Sequence, residues 1–342
     1  MSSNVTLKQI AEALGVSAMT VSRAINNKAN VDEKTRLRVL AKAKSMGYTP
    51  NHVAKSLVSQ KTHTIGVVIP EIHHVFFSEV VSGIEAVVYE NDYQLFLTNS
   101  AEDASREKNV IEALRSKRVD GILLSCAENS EDFEYYKKLI ESGFNIVFFD
   151  RCVENIGASC VSVNDETSSF QITEHLINHG YTKIAHLSGP KNLSVGQERL
   201  RGYKRALEEH QLTFRDDWVV ESGFREDGGY SAMNTILDLP QSEWPRAVVA
   251  INDPAAFGAM KAIEEHGLSI PDDIAIVGFS DDVRAELMPC PLTTVQQPAF
   301  ALGKKAAEKL IRSIEHDDEP IENIELLTSM KIRSSCGGHQ NN

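Results

Sequence analysis

Short runs of consecutive apolar, mostly β-branched residues recur from residue 64 onward, separated by stretches of helical periodicity. The first is Thr64-Ile65-Gly66-Val67-Val68-Ile69-Pro70. A run without polar alternation suits a strand covered on both faces, as in parallel sheets flanked by helices. Helical stretches over 77–91, 105–116 and 132–142 alternate with apolar runs at 94–98, 121–124 and 146–150. The alternation restarts with Cys160-Val161-Ser162-Val163, a helix over 166–179 and a strand over 183–187; 247–250 and 275–279 read as further strands. Two successive βα series of similar size, with no strict residue-level repeat, predict two doubly wound lobes. Such lobes bind ligands at the carboxyl ends of their strands, in the cleft between them.

The 342 residues carry a net charge of −13, which taken alone argues against nucleic acid. The charge is unevenly divided. Residues 1–62 hold ten lysines and arginines against three acids, a surplus of +7, while the other 25 basic and 45 acidic residues leave −20. A basic head on an acidic body lets one end meet phosphate while the body is held off DNA. No apolar run approaches the roughly 18 residues of a membrane span, and no basic patch with an apolar stretch opens the chain. No membrane partner and a cytoplasmic location are therefore expected. Five scattered cysteines (Cys126, Cys152, Cys160, Cys290 and Cys336) form no Cys-x-x-Cys pair. They are expected as reduced thiols rather than disulfides or zinc ligands.

Within the head, Thr6 can cap a helix in which Leu7, Ile10, Ala11 and Leu14 recur at helical spacing, and Gly15 can end it. Ser17 caps a second helix over 18–25, and Ala11, Val16, Val21 and Ile25 are available for a shared core, the pattern of a helix-turn-helix. Asp32 can cap a third helix over 33–46, with Leu37, Leu40 and Ala41 expected inward and five basic residues mostly outward. Residues 51–58, after Pro50, are too few for a stable isolated helix. Their Val53, Ala54 and Leu57 face suits either pairing on DNA or a linker with incidental leucines.

Thr6-Leu7-x2-Ile10-Ala11-x3-Gly15-Val16-Ser17-x2-Thr20-Val21-Ser22-Arg23-x2-Asn26, Val31-x3-Thr35-Arg36, Gly47-Tyr48-x-Pro50-Asn51 and Ala54-x2-Leu57 resemble the headpiece of the lactose repressor/galactose repressor family. The likeness continues through Gly83-Ile84-Glu85, Phe149-Asp150-Arg151, Arg199-x2-Gly202-Tyr203, Asn252-Asp253-x4-Gly258 and Pro291-Leu292-Thr293-Thr294-Val295-x-Gln297-Pro298. The resemblance implies a transcriptional repressor that binds double-stranded, pseudo-palindromic operator DNA as a homodimer. It implies a small effector, a sugar or sugar derivative, bound between the lobes, and no cofactor, metal or catalysed reaction. The architecture it implies is an all-α helix-turn-helix headpiece (1–48), a hinge helix and linker (49–62) and a periplasmic-binding-protein-like α/β core (63–342). The core divides into two doubly wound parallel-sheet lobes, the first about 63–162 and 293–322, the second about 163–291 and 323–342.

By the same resemblance, DNA contacts come from Thr6, Ser17, Ala18, Met19, Thr20, Ser22, Arg23 and Asn26, and from Asn51, Ala54 and Leu57 of the hinge, with Leu57 entering the minor groove. Effector contacts come from Phe76, Phe77, Asp150, Arg199, Phe224 and Asn252, and from either Ser280 or an aspartate shifted by one position, Asp281. Arg23 also stands on its own chemistry, since its fork matches guanine O6 and N7. Two departures from the family pattern concern the cleft. Ser280 stands where many members have aspartate, with Asp281 and Asp282 behind it, and the common Asn-Pro after the first strand is His74-Val75.

Carboxylates, arginine, amide and phenylalanines at strand ends suit a polyol, with hydrogen bonds to neighbouring hydroxyls and aromatic rings against the sugar face. A solute-binding protein of the same two-lobed type is the nearest alternative, but it would carry no basic head. A sugar enzyme fused to a helix-turn-helix, such as a sugar kinase, would need a phosphate-cradling loop and a catalytic carboxylate, and neither is found. His175-x3-His179 has metal-ligand spacing without a third ligand nearby, and is expected as an ordinary helix surface.

Overall fold

The computed structural model describes residues 5–26, 30–48, 61–130, 132–153, 155–316 and 318–337. They belong to two compact units, residues 1–62 and 63–342. The expected hinge residues Asn51, Ala54 and Leu57 lie outside the described residues.

In the first unit, helices α1 (Leu7–Leu14), α2 (Ala18–Ile25) and α3 (Glu33–Ser45) follow the three capping residues. Thr6 and Gln9 form a reciprocal capping box, Ser17 accepts from Thr20 N–H, and Asp32 accepts from Thr35 N–H. Each cap satisfies a donor that the first helical turn leaves unpaired. Gly15 turns the chain at φ 68°, a conformation that costs other residues a Cβ clash. Ile10, Ala11, Val21, Ala24, Val39 and Ala43 form the core. This corrects the expected face of α3: Leu37, Leu40 and Ala41 are exposed, and Val39 and Ala43 point inward. Residues 39 and 43 are one turn apart and share a face, whereas 37 and 40 project from the other side.

In the second unit, the chain runs β1 (Thr64–Ile69), α4 (Val75–Glu90), β2 (Gln94–Asn99), α5 (Ala104–Ser116), β3 (Gly121–Leu124), α6 (Phe133–Glu141), β4 (Asn145–Phe149) and β5 (Ser159–Val163). It continues with α7 (Asp165–Asn178), β6 (Ile184–Ser188), α8 (Ser194–Glu209), β7 (Val219–Glu221), α9 (Glu226–Leu237), β8 (Ala247–Ala250), α10 (Asp253–Glu265) and β9 (Ala275–Ser280). Last come β10 (Thr293–Gln296), α11 (Ala299–Glu315), β11 (Asn323–Leu326) and β12 (Ser329–Lys331).

Two six-stranded sheets result, in the orders β11-β5-β4-β3-β1-β2 and β12-β10-β9-β8-β6-β7. Pairing is parallel throughout except for β12, which runs antiparallel to β10. Both sheets therefore repeat the flavodoxin-like order 2-1-3-4-5, which opens a crevice beside the first strand at the carboxyl ends. The apolar runs are buried on both faces. In β1, Ile65, Val67 and Ile69 pack with Val80 and Ile84 of α4 and Leu302 and Ala306 of α11. Val68 packs on the opposite face with Ile111 and Leu114 of α5. Among the described residues no helix is long and apolar enough to cross a membrane.

The chain crosses between sheets three times, and two crossings differ from the expected lobe boundaries. β10 lies in the second sheet beside β9, so residues 293–296 leave the first lobe. Prolines 291 and 298 bracket this strand, and the crossing falls at the second of them. β11 pairs with β5 in the first sheet, so residues 323–326 leave the second lobe. The cysteine expectation is corrected as well: Cys152 and Cys160 are disulfide-bonded, while Cys126, Cys290 and Cys336 are free. The chain doubles back after β4 and lays Cys152 beside Cys160 of β5, with their Cα atoms 5.8 Å apart. Spacing along the sequence does not reveal that fold-back.

Candidate effector cleft and DNA-facing helix

The carboxyl ends of both sheets converge on one cavity. It is lined by His74, Phe76, Phe77, Asp150, Arg151, Val195, Arg199, Phe224, Asn252, Ser280 and Gln297. Seven of the eight expected effector residues are among these. Asp281 is the exception: its carboxylate accepts from Arg333 at 2.7 Å and from Gln296 at 3.1 Å, away from the cavity. A positive φ of 60° turns it off the line of β9. The cavity measures about 30 Å³, room for a water or two.

Each charged group in the cleft has a specific support. Arg199, on α8, donates from Nε to Asp165 at 2.7 Å and from Nη1 to the Ile251 carbonyl, and its guanidinium lies 3.5 Å from the Phe279 ring centroid. Arg151 grips Glu102 with two hydrogen bonds of 2.8 and 2.9 Å and stacks 4.2 Å from the Phe224 ring centroid on the other lobe. Both arginines are buried but paired, which is the condition for burying charge at tolerable cost. Burial raises the Asp150 carboxyl to about 6, against an opposing pull from Arg151. Burial likewise lowers His74 to about 4, helped by the nearby Arg151 charge. His74 is therefore neutral near pH 7.

Backbone strain gathers at the same place. Asp150 sits at φ 61° and Ser280 at φ 129°, conformations that cost a non-glycine residue about 1–3 kcal/mol and collect at ligand sites. The Ser280 hydroxyl is buried with no hydrogen-bond partner among the described residues. Asn252 caps α10 by accepting Ala255 N–H at 2.9 Å and donates to the Phe224 carbonyl at 2.9 Å.

The cleft holds four residues outside the expected set: His74, Arg151, Val195 and Gln297. His74 and Arg151 occupy strand-end segments visible in the sequence. Val195 carries no polar or aromatic signature that would single it out, and Gln297, though polar and within a family-matching stretch, is not marked out as a ligand contact by the sequence. Contacts also cross the cleft: Arg225 to Glu71 at 2.8 Å, Asn192 Nδ2 to the Glu128 carbonyl at 2.8 Å, and Cys152 N–H to Ser194 at 3.1 Å.

In the headpiece, Ser17, Ala18, Met19, Arg23 and Asn26 are exposed, with Met19 63% accessible, while Thr20 and Ser22 are half-buried on the same helix. Thr6 is exposed at the start of α1, its side chain engaged in the cap. Among the described residues Arg23 makes no ion pair, and it lies exposed on α2. His175 contacts Cys336 Sγ at 3.3 Å, and among the described residues no cluster of three or more His, Cys, Asp or Glu is arranged for a metal.

A helix-turn-helix unit on the same chain as a two-lobed core with a polar cleft defines a ligand-responsive regulator of transcription. The chain belongs to the LacI family: the model for bacterial regulatory proteins of the lacI family matches residues 6–51, and that for periplasmic binding proteins and the sugar binding domain of the LacI family matches residues 62–333. The HTH-type transcriptional repressor PurR of Vibrio campbellii is 34% identical over 332 residues, covering 96% of this chain and 98% of the relative. Among solved structures, the lac repressor dimer bound to operator and the anti-inducer ONPF is 26% identical with a TM-score of 0.85, covering 97% of this chain and 99% of that one. The transcriptional regulator CelR in complex with cellobiose is 28% identical with a TM-score of 0.74, covering 97% of this chain and all of that one.

Proposed function

We propose that this protein is a dimeric transcriptional repressor whose affinity for a pseudo-palindromic operator is set by a small carbohydrate-like effector held between the lobes. The observation that carries the reading is the cleft itself. Paired arginines, a buried carboxylate, a capping asparagine and phenylalanine rings from both sheets meet at the strand ends. Arg23 leads base recognition, with Ala18 and Met19 contributing methyl and shape contacts, and Thr6, Ser17, Thr20, Ser22 and Asn26 lie beside them for phosphate and base contacts. Leu57, with Asn51 and Ala54, completes the contact in the minor groove. Exposed Tyr89 on α4 and Phe96 and Leu97 on the edge strand β2 support burial against a second copy. No catalytic step is assigned to the cleft.

Effector control requires unequal affinity for the DNA-competent and DNA-incompetent states, about 1–3 kcal/mol of coupling. A thermal-shift screen against sugars, sugar acids, sugar phosphates and purines tests this, followed by titration of any stabilising compound into operator binding. A carbohydrate that stabilises the protein and changes DNA affinity supports the reading. Stabilisation without any change in DNA affinity would remove the coupling.

A further inference from the structure

His74, like Ser280, is a departure from the family pattern that lines the cleft. Its ring caps α4: Nδ1 lies 3.3 Å from Phe76 N–H and accepts from it. With Nδ1 accepting in this cap, a neutral imidazole carries its proton on Nε2. That Nε2 faces Asn252 Nδ2 at 3.4 Å. Asn252 has no freedom to turn its oxygen there, since Oδ1 accepts Ala255 N–H and Nδ2 donates to the Phe224 carbonyl. In that tautomer two N–H donors from opposite lobes meet side by side in the wall of the cavity, and neither accepts from the other.

We propose that His74 is a specificity-determining residue which, paired with Asn252, receives an acceptor oxygen of the effector: a hydroxyl, ring ether or carbonyl oxygen carrying no formal charge. The proposal rests on the effector reading of the cleft. An acceptor placed across the two donors satisfies both and ties the first lobe to the second, so ligand binding and lobe closure become one event. A ligand presenting an N–H or other donor at this point meets two like partners and is rejected, since an unpaired buried donor costs about 1–3 kcal/mol. Asp150, elsewhere on the cavity wall, is an acceptor toward hydroxyl protons. A neutral polyol supplies both an acceptor oxygen and a donor hydroxyl.

Two substitutions separate this role from capping. Asparagine and aspartate both cap helices well, but only asparagine offers an N–H. The experiment uses the full chain with D-glucose, cellobiose, D-gluconate, D-glucose 6-phosphate and guanine, measured by calorimetry against wild type, His74→Asn and His74→Asp. Imidazole nitrogen shifts at pH 7 report the tautomer, and thermal unfolding reports the cap. The expected result is an Nε2–H tautomer, unfolding of both variants within about 2 °C of wild type, and a bound neutral sugar whose affinity survives His74→Asn within about threefold. With His74→Asp that affinity falls by about tenfold or more, the effect of some 1.4 kcal/mol. An Nδ1–H tautomer, or binding that changes equally in both variants, overturns the role of His74 while leaving the effector reading intact. Absence of binding by every compound to wild type overturns both.

Discussion

Single side chains carry the sharpest tests. Arg23 lies exposed on α2 with no ion pair among the described residues, so the Arg23→Ala variant should lose about 1–3 kcal/mol of operator discrimination and approach its own affinity for random DNA, as read by competition binding. An equal loss on both DNAs would make Arg23 a phosphate contact. Asp150 offers a test by pH. Its folded carboxyl sits near 6 against an ordinary 3.8, so between those values the folded chain holds a proton that the unfolded chain has released. Its contribution to stability accordingly falls as pH rises across that window and is level above it. In urea unfolding, the Asp150→Asn variant should gain on wild type from pH 4 to 6 by an amount on the order of 2–3 kcal/mol, with no further gain above pH 7. A difference that does not vary with pH would place the carboxyl in an ordinary environment. At this scale the sequence was informative about position and less so about direction. Phe76, Asp150, Arg199 and Asn252 follow strand ends and reach the cavity, whereas Asp281, one residue past Ser280, is turned toward Arg333 by its left-handed backbone.

Secondary-structure elements explain why certain small residues are needed. Helices α4 and α11 pack so closely that a Cβ on Gly83 would lie 2.0 Å from the Phe300 carbonyl, and one on Gly303 would lie 1.9 Å from the Val80 carbonyl. Two backbones in contact cannot relax as a flexible side chain can, and overpacking of this kind costs about 1–3 kcal/mol or more. The Gly303→Ala variant should lower the unfolding midpoint clearly while leaving the headpiece helices intact by circular dichroism, and an unchanged midpoint would show that the helix pair can separate freely. The Gly83-Ile84-Glu85 match to the family acquires a physical reason here, one that periodicity alone does not supply. The strands were legible because continuous apolar runs have few other uses. The late elements were less so: β11 alternates only between exposed and half-buried residues and β12 is exposed throughout, so neither leaves a hydrophobic imprint. In α3 the leucines misled because leucine is read as inward, while the two-helix partner offers room only for Val39 and Ala43.

At the scale of the whole molecule, polar contacts bridge the two lobes across the cleft, and a sugar ring needs more room than the cavity between them offers. Asn192, on the second lobe, holds the Glu128 carbonyl of the first at 2.8 Å. Its replacement by alanine should raise the association rate of a bound effector several-fold in stopped-flow, with a smaller change in equilibrium affinity, because one net hydrogen bond of about 1 kcal/mol is lost from the closed state. An unchanged rate would mean that opening does not limit entry. The charge division and the βα alternation made the two units legible in the sequence, whereas the positions of the second and third crossings were not, since a crossing leaves no compositional trace.

Those crossings bear on how the protein is made. The first sheet stays one strand short until β11 has been synthesised, after every strand of the second sheet except β12. While the nascent chain is tethered to the ribosome, β5 keeps a bare edge, and the half of the molecule translated first is among the last to be finished. A premature stop even a short distance upstream of Asn323 would therefore leave a gap at the oldest part of the core as well as a frayed end.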